Sequence, residues 1–461
     1  MSGGSLSIAL SGLDAAQTGL DTVSENIANA NTPGYLKETA SLANQQTPGD
    51  AIGNGVTVTG IIQSSNSFNR QLELSAKGAQ SYANQLQSLL SSAQASFNEP
   101  STNGIAEQLN TMYNDFSSLA NTPTQAASYA QVVAAAQNVA TSINQAAANL
   151  SAVYQQASSS ATTLVQTINS QLNQVAAINT QLASTSLTPG ASNTLVDQQN
   201  QVIDALSSEL GVTVVPGNAG QTTLLVGGVA LVQGSQVQPI GFTPGIQTSP
   251  PSATNTATVS LTNSGTIVPV TGGTLGATLT AMNTNLPTYG GYLDKLANTL
   301  ASQVNGQLAA GTSQNAAGTG SQSGVALFVP SSGASIDAAT LSVNPSIVQD
   351  PMLIAASGPS YAPGDGSNAQ LVANQQTSTT GAIAHWANSV SSVGLDVQNA
   401  TALATNATNT YNQAYSAEQS SSGVTVNSQL VNLVNYQQVY QAAAKVIATV
   451  AATLQSLIQD V

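Results

Sequence analysis

From Ser5 the chain places Leu6, Leu13, Leu20 and Ile27 seven residues apart, with Ala9, Ala16, Val23 and Ala30 three residues after each. Every a and d position of four successive heptads is therefore apolar. The far end repeats the pattern with Leu433, Tyr440, Ile447 and Leu454, accompanied by Tyr436, Ala443, Val450 and Leu457. Neither stripe is wide enough to bury much more than a partner helix, so the ends predict two helical ribbons that pack on each other or on a neighbour. Pro33 disfavours helix at Thr32, and Pro33 with Gly34 suits the centre of a type II turn, which closes the first ribbon.

Between the ribbons the pattern changes twice. From Phe68 to Leu187 it is helical, with a seam at Leu72, Ala79, Leu86 and Ala93 backed by Ala76, Ala83, Leu90 and Phe97, and with neither Gly nor Pro after Thr124. A further helix over 193–210 is closed by Gly211. Residues 212–270 turn to Val, Thr, Gly and Pro, in runs that read as strands separated by turns. Helix returns over 275–308, a Gly/Ser/Asn-rich loop follows at 311–324, and short strands are expected at 325–329 and 340–343. Helix then runs from Asn368 to Gln419, until Gly423 interrupts it. The predicted architecture is mainly α with a β-rich insertion, elongated and multidomain. Residues 1–70 and 424–461 form a terminal coiled-coil assembly domain. Residues 71–210, 275–310 and 365–423 form a helical bundle, and 211–274 with 325–345 form an outer β-rich domain. The two ends must meet in space.

Composition sharpens this picture. A length of 461 residues allows about two to four domains. Apolar residues make up 41% of the chain but aromatics only 4%, so the core is built from Ala, Val, Leu and Ile. Only 5% of residues are charged, against about a quarter in an ordinary soluble domain. The five basic residues, Lys37, Arg70, Lys77, Lys295 and Lys445, form no patch in the sequence, and the net charge is -14. That balance excludes binding to a nucleic-acid backbone. The absence of cysteine removes disulfides, thiolate chemistry and cysteine-ligated metals. No apolar run approaches the length of a membrane span, and Met1 to Ser7 lack the basic and apolar regions of a cleavable signal.

Candidate chemistry is sparse. The single histidine, His385, has neither a carboxylate nor a nucleophile among its immediate neighbours and reads, with Trp386, as a packing pair. Asp197, Asp204, Glu209, Asp337, Asp350 and Asp365 stand singly, as surface groups, caps or turn formers; Asp350 before Pro351 and Asp365 between glycines suit turns. Gly227 with Gly228, and Gly272 with Gly273 and Gly276, lack a following Lys-Ser/Thr and read as tight turns rather than phosphate cradles. No residue is assigned a catalytic, cofactor-binding or metal-binding role.

The stretch Asn26-Ile-Ala-Asn29-Ala-Asn31-Thr32-Pro33-Gly34-Tyr35 resembles the signature of the flagellar rod, hook and hook-associated proteins. Near the other end, Gly423-Val-Thr-Val-Asn-Ser-Gln-Leu430 and the residues from Leu433 to Ile447 are similar to that family's C-terminal segment. Stretches around Asp197 to Val215, Leu225 to Gly228, Gly272 to Gly276, Leu341 to Asn344, Asp350-Pro351 and Gly364 to Asn368 resemble its hook–filament junction members. The resemblance implies a non-enzymatic structural subunit, located outside the cell in the flagellum and exported by the flagellar type III apparatus without a cleaved signal. It implies that the paired terminal helices line the inner tube and that the β-rich insertion faces outward. The implied partners are the hook protein, a second junction protein (hook-associated protein 3), an export chaperone and further copies of the chain in a ring. The implied assembly interface is Leu6, Leu13, Leu20, Ile27, Asn29, Thr32, Pro33, Gly34, Tyr35, Leu433, Tyr440, Ile447, Val450 and Leu454.

The chain departs from the family where Gln198-Gln199-Asn200 and Asn427-Ser428-Gln429 replace charged residues, and where the short segment 311–324 leaves no room for a further outer domain. The rival axial proteins, hook and distal rod, share the turn at Pro33. They usually pass from that turn into β structure, whereas here long helices are expected by Gln71, and Ala443 stands where they tend to carry Asn. From other classes, a secreted adhesin or a peptidoglycan-associated hydrolase remains an alternative. The sparse charge further suggests a surface adapted to an acidic or otherwise charge-hostile exterior, since few groups titrate as pH falls. Assembly is then expected to survive acidification; assembly seen at neutral pH but lost near pH 3 contradicts that expectation.

Overall fold

The computed structural model describes residues 2–32, 34–45, 53–184, 189–246, 248–252, 256–313, 322–333 and 335–459. The first heptads form α1 (Ser2–Ala28). The turn after it leads into an antiparallel hairpin of β1 (Glu38–Asn44) and β2 (Val56–Gln63), bulged between Ser41 and Leu42. A long helix is in place by Gln71 as expected, but β structure stands between it and the turn, which corrects the contrast drawn with the hook and rod proteins. The cause is local: Val56-Thr-Val-Thr is β-branched throughout and alternates apolar with polar side chains, which suits a half-buried strand.

Helix α2 (Ser67–Ala95) starts at Asn66, whose side chain accepts from the backbone N–H of Phe68 and Asn69. Of its predicted seam, Ala76, Ala83, Leu90, Ala93 and Phe97 are buried, but Leu72 is exposed. Helices α3 (Ile105–Asn121) and α4 (Ala126–Leu182) follow; the latter, 57 residues long, spans about 85 Å at 1.5 Å per residue. It is the spine of the molecule. Leu109, Met112 and Phe116 of α3 and Val132, Ala136, Val139 and Ile143 of α4 belong to one buried core, in which alanine lets helices approach closely.

Helix α5 (Pro189–Leu210) ends at Gly211, whose φ of +68° is the left-handed conformation expected of a terminating glycine. A four-stranded antiparallel sheet comes next, from β3 (Thr213–Pro216), β4 (Thr222–Val226), β5 (Val229–Gln233) and β6 (Gln236–Val237). Strand β7 (Ile240–Thr243) pairs with β8 (Thr258–Leu261).

These strands are fixed to helices by asparagine. Asn179 on α4 donates to Thr222 O (2.8 Å) and accepts from Thr222 N (2.9 Å), while Asn169 does the same with Ile240 (2.8 and 2.9 Å).

Helix α6 (Gly273–Thr280) continues through a π turn (Ala281–Asn285) into α7 (Leu286–Ala309). Pro287 lacks the N–H that a regular turn would need at that point. Within the π turn Asn283 pairs with both backbone groups of Ala257. The segment expected as a loop at 311–324 is bounded by two paired strands, β9 (Thr312–Ser313) and β10 (Gln322–Ser323); residues 314–321 lie outside the described ones. Strands β11 (Phe328–Pro330) and β12 (Leu341–Val343) pair next, and Asn305 of α7 clasps both backbone groups of Phe328.

After α8 (Pro345–Gln349), the helix expected to run unbroken from Asn368 is divided into α9 (Ser367–Ala373) and α10 (Ala382–Ser422). A 3-10 turn at Asn374–Thr377 and extended Gly381 separate them. Helix α11 (Val426–Gln459) completes the chain. Trp386 of α10 is 1% exposed, packs edge-on against Phe97 at 5.4 Å, and donates to Glu99 Oε1 at 2.9 Å. Trp386 is thus part of the packing between α10 and the segment after α2, and His385 beside it is half-buried.

Candidate assembly surface

Helices α1 and α11 pair antiparallel, and two contacts set the register. Asn26 Nδ2 donates to Gln429 Oε1 (3.3 Å). Seven residues back along α1, Gly19 lies so close to the Tyr436 ring, seven residues further along α11, that a Cβ there would run into it. On α11 the burial follows the heptads. Leu433, Tyr436, Tyr440, Ala443, Ile447, Val450 and Leu454 are half-buried among exposed neighbours, while the side chain of Leu457 lies outside the described residues.

On α1 the predicted seam is rotated. Ala9, Ala15, Ala16, Gly19, Thr22, Val23 and Asn26 are buried, whereas Leu13, Leu20 and Ile27 are only half-buried and Leu6 is exposed. The helix serves α11 and the hairpin at once, so its small residues turn inward and its leucines are pushed to the edge.

The turn is built on the last residues of α1. Asn29 donates through Nδ2 to Glu25 O (3.2 Å) and accepts from Thr32 Oγ1 (3.2 Å), and Tyr35 N donates to Thr32 O (3.2 Å). Gly34 has φ +80°, and a Cβ there would stand 3.0 Å from Gln201 of α5. Pro33 lies outside the described residues. Beneath the turn, the fully buried Asn26 joins four parts of the chain. It donates to Glu38 O (2.8 Å) and to Gln429, and its Oδ1 accepts from Glu38 N (2.8 Å) and Tyr35 Oη (3.1 Å). Asn26, Gly19 and Gln429 are contact positions that the heptad pattern missed; Asn26 and Gln429 left a trace, as polar residues inside the two terminal stretches that resemble the family.

The hairpin and turn rest on α5 through polar contacts. Gln63 donates to Asp197 Oδ1 (2.9 Å), as does the backbone N–H of Leu36 to the same carboxylate. Asn193 donates to Glu38 Oε1 (2.8 Å) and Ile61 O (3.1 Å). Burial pushes the Asp197 carboxyl up to about 7, with Glu38 and Glu25 acting in the same sense against its hydrogen bonds. Burial, again aided by neighbouring carboxylates, also raises the Tyr35 phenol. Close by, Arg70 pairs with Glu73 (2.7 Å) and with Asp204, and Lys77 lies 3.7 Å from Asp204. Two cations scattered in the sequence therefore converge on one acid.

The paired ends leave several large apolar side chains in solvent. Leu10 is 58% exposed, Val431 61% and Ile458 76%, alongside exposed Leu6, Leu430, Val434, Val439 and Val446. Exposed apolar residues in such number on one pair of helices mark an interaction surface. Among the described residues no group of acids and histidines could hold a metal ion, and no helix is long and apolar enough to cross a membrane.

A long helical body whose chain ends pair into a half-covered apolar ribbon is the form of a filament-type assembly subunit. The profile of the flagellar hook-associated protein FlgK helical domain matches residues 90–328, so the chain belongs to the FlgK family. The flagellar basal body rod protein family matches residues 6–35, and the C-terminal family of the rod proteins FlgEFG matches 415–460.

Flagellar hook-associated protein 1 of Escherichia coli K12 is 27% identical over 318 residues, covering 67% of this chain and 57% of that protein. Its Bacillus subtilis counterpart is 27% identical over 46% of this chain and 44% of its own length. The Salmonella typhimurium hook protein FlgE is 49% identical over 59 residues, 13% of this chain and 14% of that protein. The chain thus spans about half the length of the hook-associated relatives it matches, 57% of the Escherichia coli protein and 44% of the Bacillus subtilis one. The flagellar hook junction protein FlgK from Burkholderia pseudomallei has the same fold, with TM-score 0.64 at 17% identity over 76% of this chain and 100% of that one.

Replacing Asn26 with Ala leaves both backbone groups of Glu38 and the Tyr35 hydroxyl without this partner. The expected cost is about 1–3 kcal/mol, confined to the terminal unit. Hydrogen exchange checks it: the Glu38 amide loses protection while amides of α4 keep theirs.

Proposed function

We propose that the chain is a structural subunit of the bacterial flagellar axis, seated where hook meets filament, and that it works by self-assembly rather than catalysis. The observation that carries this reading is the ribbon itself: α1 and α11 together leave Leu6, Leu10, Leu430, Val434 and Val446 in solvent. Burying them against neighbouring copies provides the driving force for joining a tube, at about 25 cal/mol per Å² of apolar surface removed from water. Leu6, Leu13, Leu20 and Ile27 then complete contacts, within or between copies, with Leu433, Tyr440, Ile447, Val450 and Leu454, while Asn29, Thr32, Pro33, Gly34 and Tyr35 shape the end of the ribbon.

The partners in this reading are the hook protein on one side, hook-associated protein 3 on the other, further copies of the chain, and a flagellar export chaperone before assembly. Export occurs without a cleaved signal, and the terminal, bundle and outer β-rich regions take successive radial positions from the axis outward. The hairpin removes one distinction from hook and rod proteins, since β structure does follow the turn here. The helical body over 90–328, matched to the FlgK family, favours the junction over those rivals.

Deleting residues 1–30 tests the role of the ribbon. The truncated chain is expected to keep the helical signal of the bundle and to fail to incorporate at hook tips. A truncated chain that still caps hooks refutes the reading.

A further inference from the structure

Of the five basic side chains, four have an evident setting. Arg70 and Lys77 meet Glu73 and Asp204, and Lys295 and Lys445 are exposed to solvent. Lys37 is the exception. It is half-buried and takes part in none of the ion pairs among the described residues. Its backbone is fixed at both ends, donating to Ser422 O at the end of α10 (2.9 Å) and accepting from Ser64 N (2.8 Å). A cation drawn out of water without a counter-charge is costly, so this setting calls for an anion.

Lys37 lines a cavity of about 220 Å³ among α1, β1, the end of α10 and the start of α11, smaller than the about 300–1,000 Å³ that drug-sized ligands occupy. Gln429 also lines it and is 4% exposed. The orientation of this carboxamide is forced. Asn26 is pinned on Glu38 by one donated and one accepted hydrogen bond, so it offers Gln429 an N–H, and Gln429 must turn its oxygen to Asn26. Gln429 Nε2 is left without a protein acceptor among the described residues. At the exposed rim, Thr425, Ser428 and Asn432 add hydroxyl and amide donors. Ser428 lies in the first turn of the 34-residue α11, where the unpaired N–H groups of a helix carry partial positive charge.

The groups of opposite sense are already engaged. Glu38 is the one acid among the described lining residues, and its carboxylate is turned to α5, where Asn193 donates to Oε1 (2.8 Å). The C-terminal end of α10 reaches the cavity through Ser420 and Gly423, but the carbonyls of Gln419 and Ser422 accept from the backbone N–H of Gly423 and Lys37. What remains free is an ammonium, a buried amide N–H₂ and hydroxyls, all able to donate.

We propose that this cavity is a binding site for one small oxyanion of the phosphate type, held between Lys37, Gln429 and the first turn of α11. The anion neutralises Lys37, accepts the spare hydrogens of Gln429 and caps the helix. Lys37 follows the turn and Gln429 belongs to α11, so the bound anion ties both terminal segments together at the hairpin and makes the terminal unit firmer. The site is a property of the single chain and does not depend on where the chain assembles.

The test is calorimetric titration of the full-length monomer with sodium phosphate at neutral pH, against sodium chloride of equal ionic strength. One saturable site is expected with phosphate and none with chloride. Hydrogen exchange of the same samples is expected to show the Ser428 and Gln429 amides gaining protection as the site fills. Lys37→Gln, with an unchanged circular dichroism spectrum, is expected to weaken binding about tenfold or more, the worth of one charge-assisted hydrogen bond. Ser428→Asp brings its own carboxylate to the rim and is expected to lose phosphate binding while showing the protection of the α11 amides without phosphate. A parent that binds no phosphate saturably, chloride that binds as phosphate does, or a Lys37→Gln variant as tight as the parent overturns the proposal. Because the measurement needs no partner, failure here leaves the assembly reading untouched, and failure of assembly leaves the anion site standing.

Discussion

The side-chain carboxamide, set against a strand so that it both donates to and accepts from one residue, is the interaction on which the rest of the molecule depends. It offers the same donor and acceptor as another strand would, carries no charge, and does not titrate. In a chain with 5% charged residues, helices and strands cannot be tied together by ion pairs. Among the described residues the ion pairs are confined to Arg70, Glu73, Lys77 and Asp204. Asparagine takes over that role. Asn169 and Asn179 hold β7 and β4 on α4, Asn283 and Asn305 hold the chain beside α6 and α7, and Asn26 locks α1, the turn, β1 and α11 into one unit. Each bond is worth about 1 kcal/mol net, but an orphaned partner in the interior costs more.

The second constraint is the small-residue palette. Alanine along α4, and alanine with Gly19 along α1, let helices approach closely and keep the elements thin, so long helices can be packed with few aromatic anchors such as Trp386 and Phe97. The same thinness leaves the terminal ribbon unable to cover itself. The heptad positions of α11 remain half-buried even with α1 in place. A pair of helices that stops at that point has apolar surface left for neighbours, which is the physical basis for reading the chain as a subunit of a larger tube.

Much of this was legible in the sequence, and the failures have local causes. The seam of α11 could be read because one face of that helix meets one partner. The seam of α1 could not, because periodicity reports which residues are apolar but not that Gly19 and Asn26 would take the inner side to admit Tyr436 and β1. Helix α4 followed from the lack of Gly and Pro, while the break before α10 came from a 3-10 turn without a proline to announce it. The hairpin was hidden because β1 carries little alternation of its own. The asparagine clasps join residues as distant as Asn179 and Thr222, a pairing no local pattern encodes. The motif from Asn26 to Tyr35, by contrast, placed the chain near the flagellar axis before any geometry was known.

The central claim, that the half-covered ribbon seats this chain between hook and filament, is tested most directly by deleting its gene and imaging the cells by electron microscopy. The account predicts complete hooks without filaments, with flagellin lost to the medium. Cells that still carry normal filaments on their hooks would contradict it.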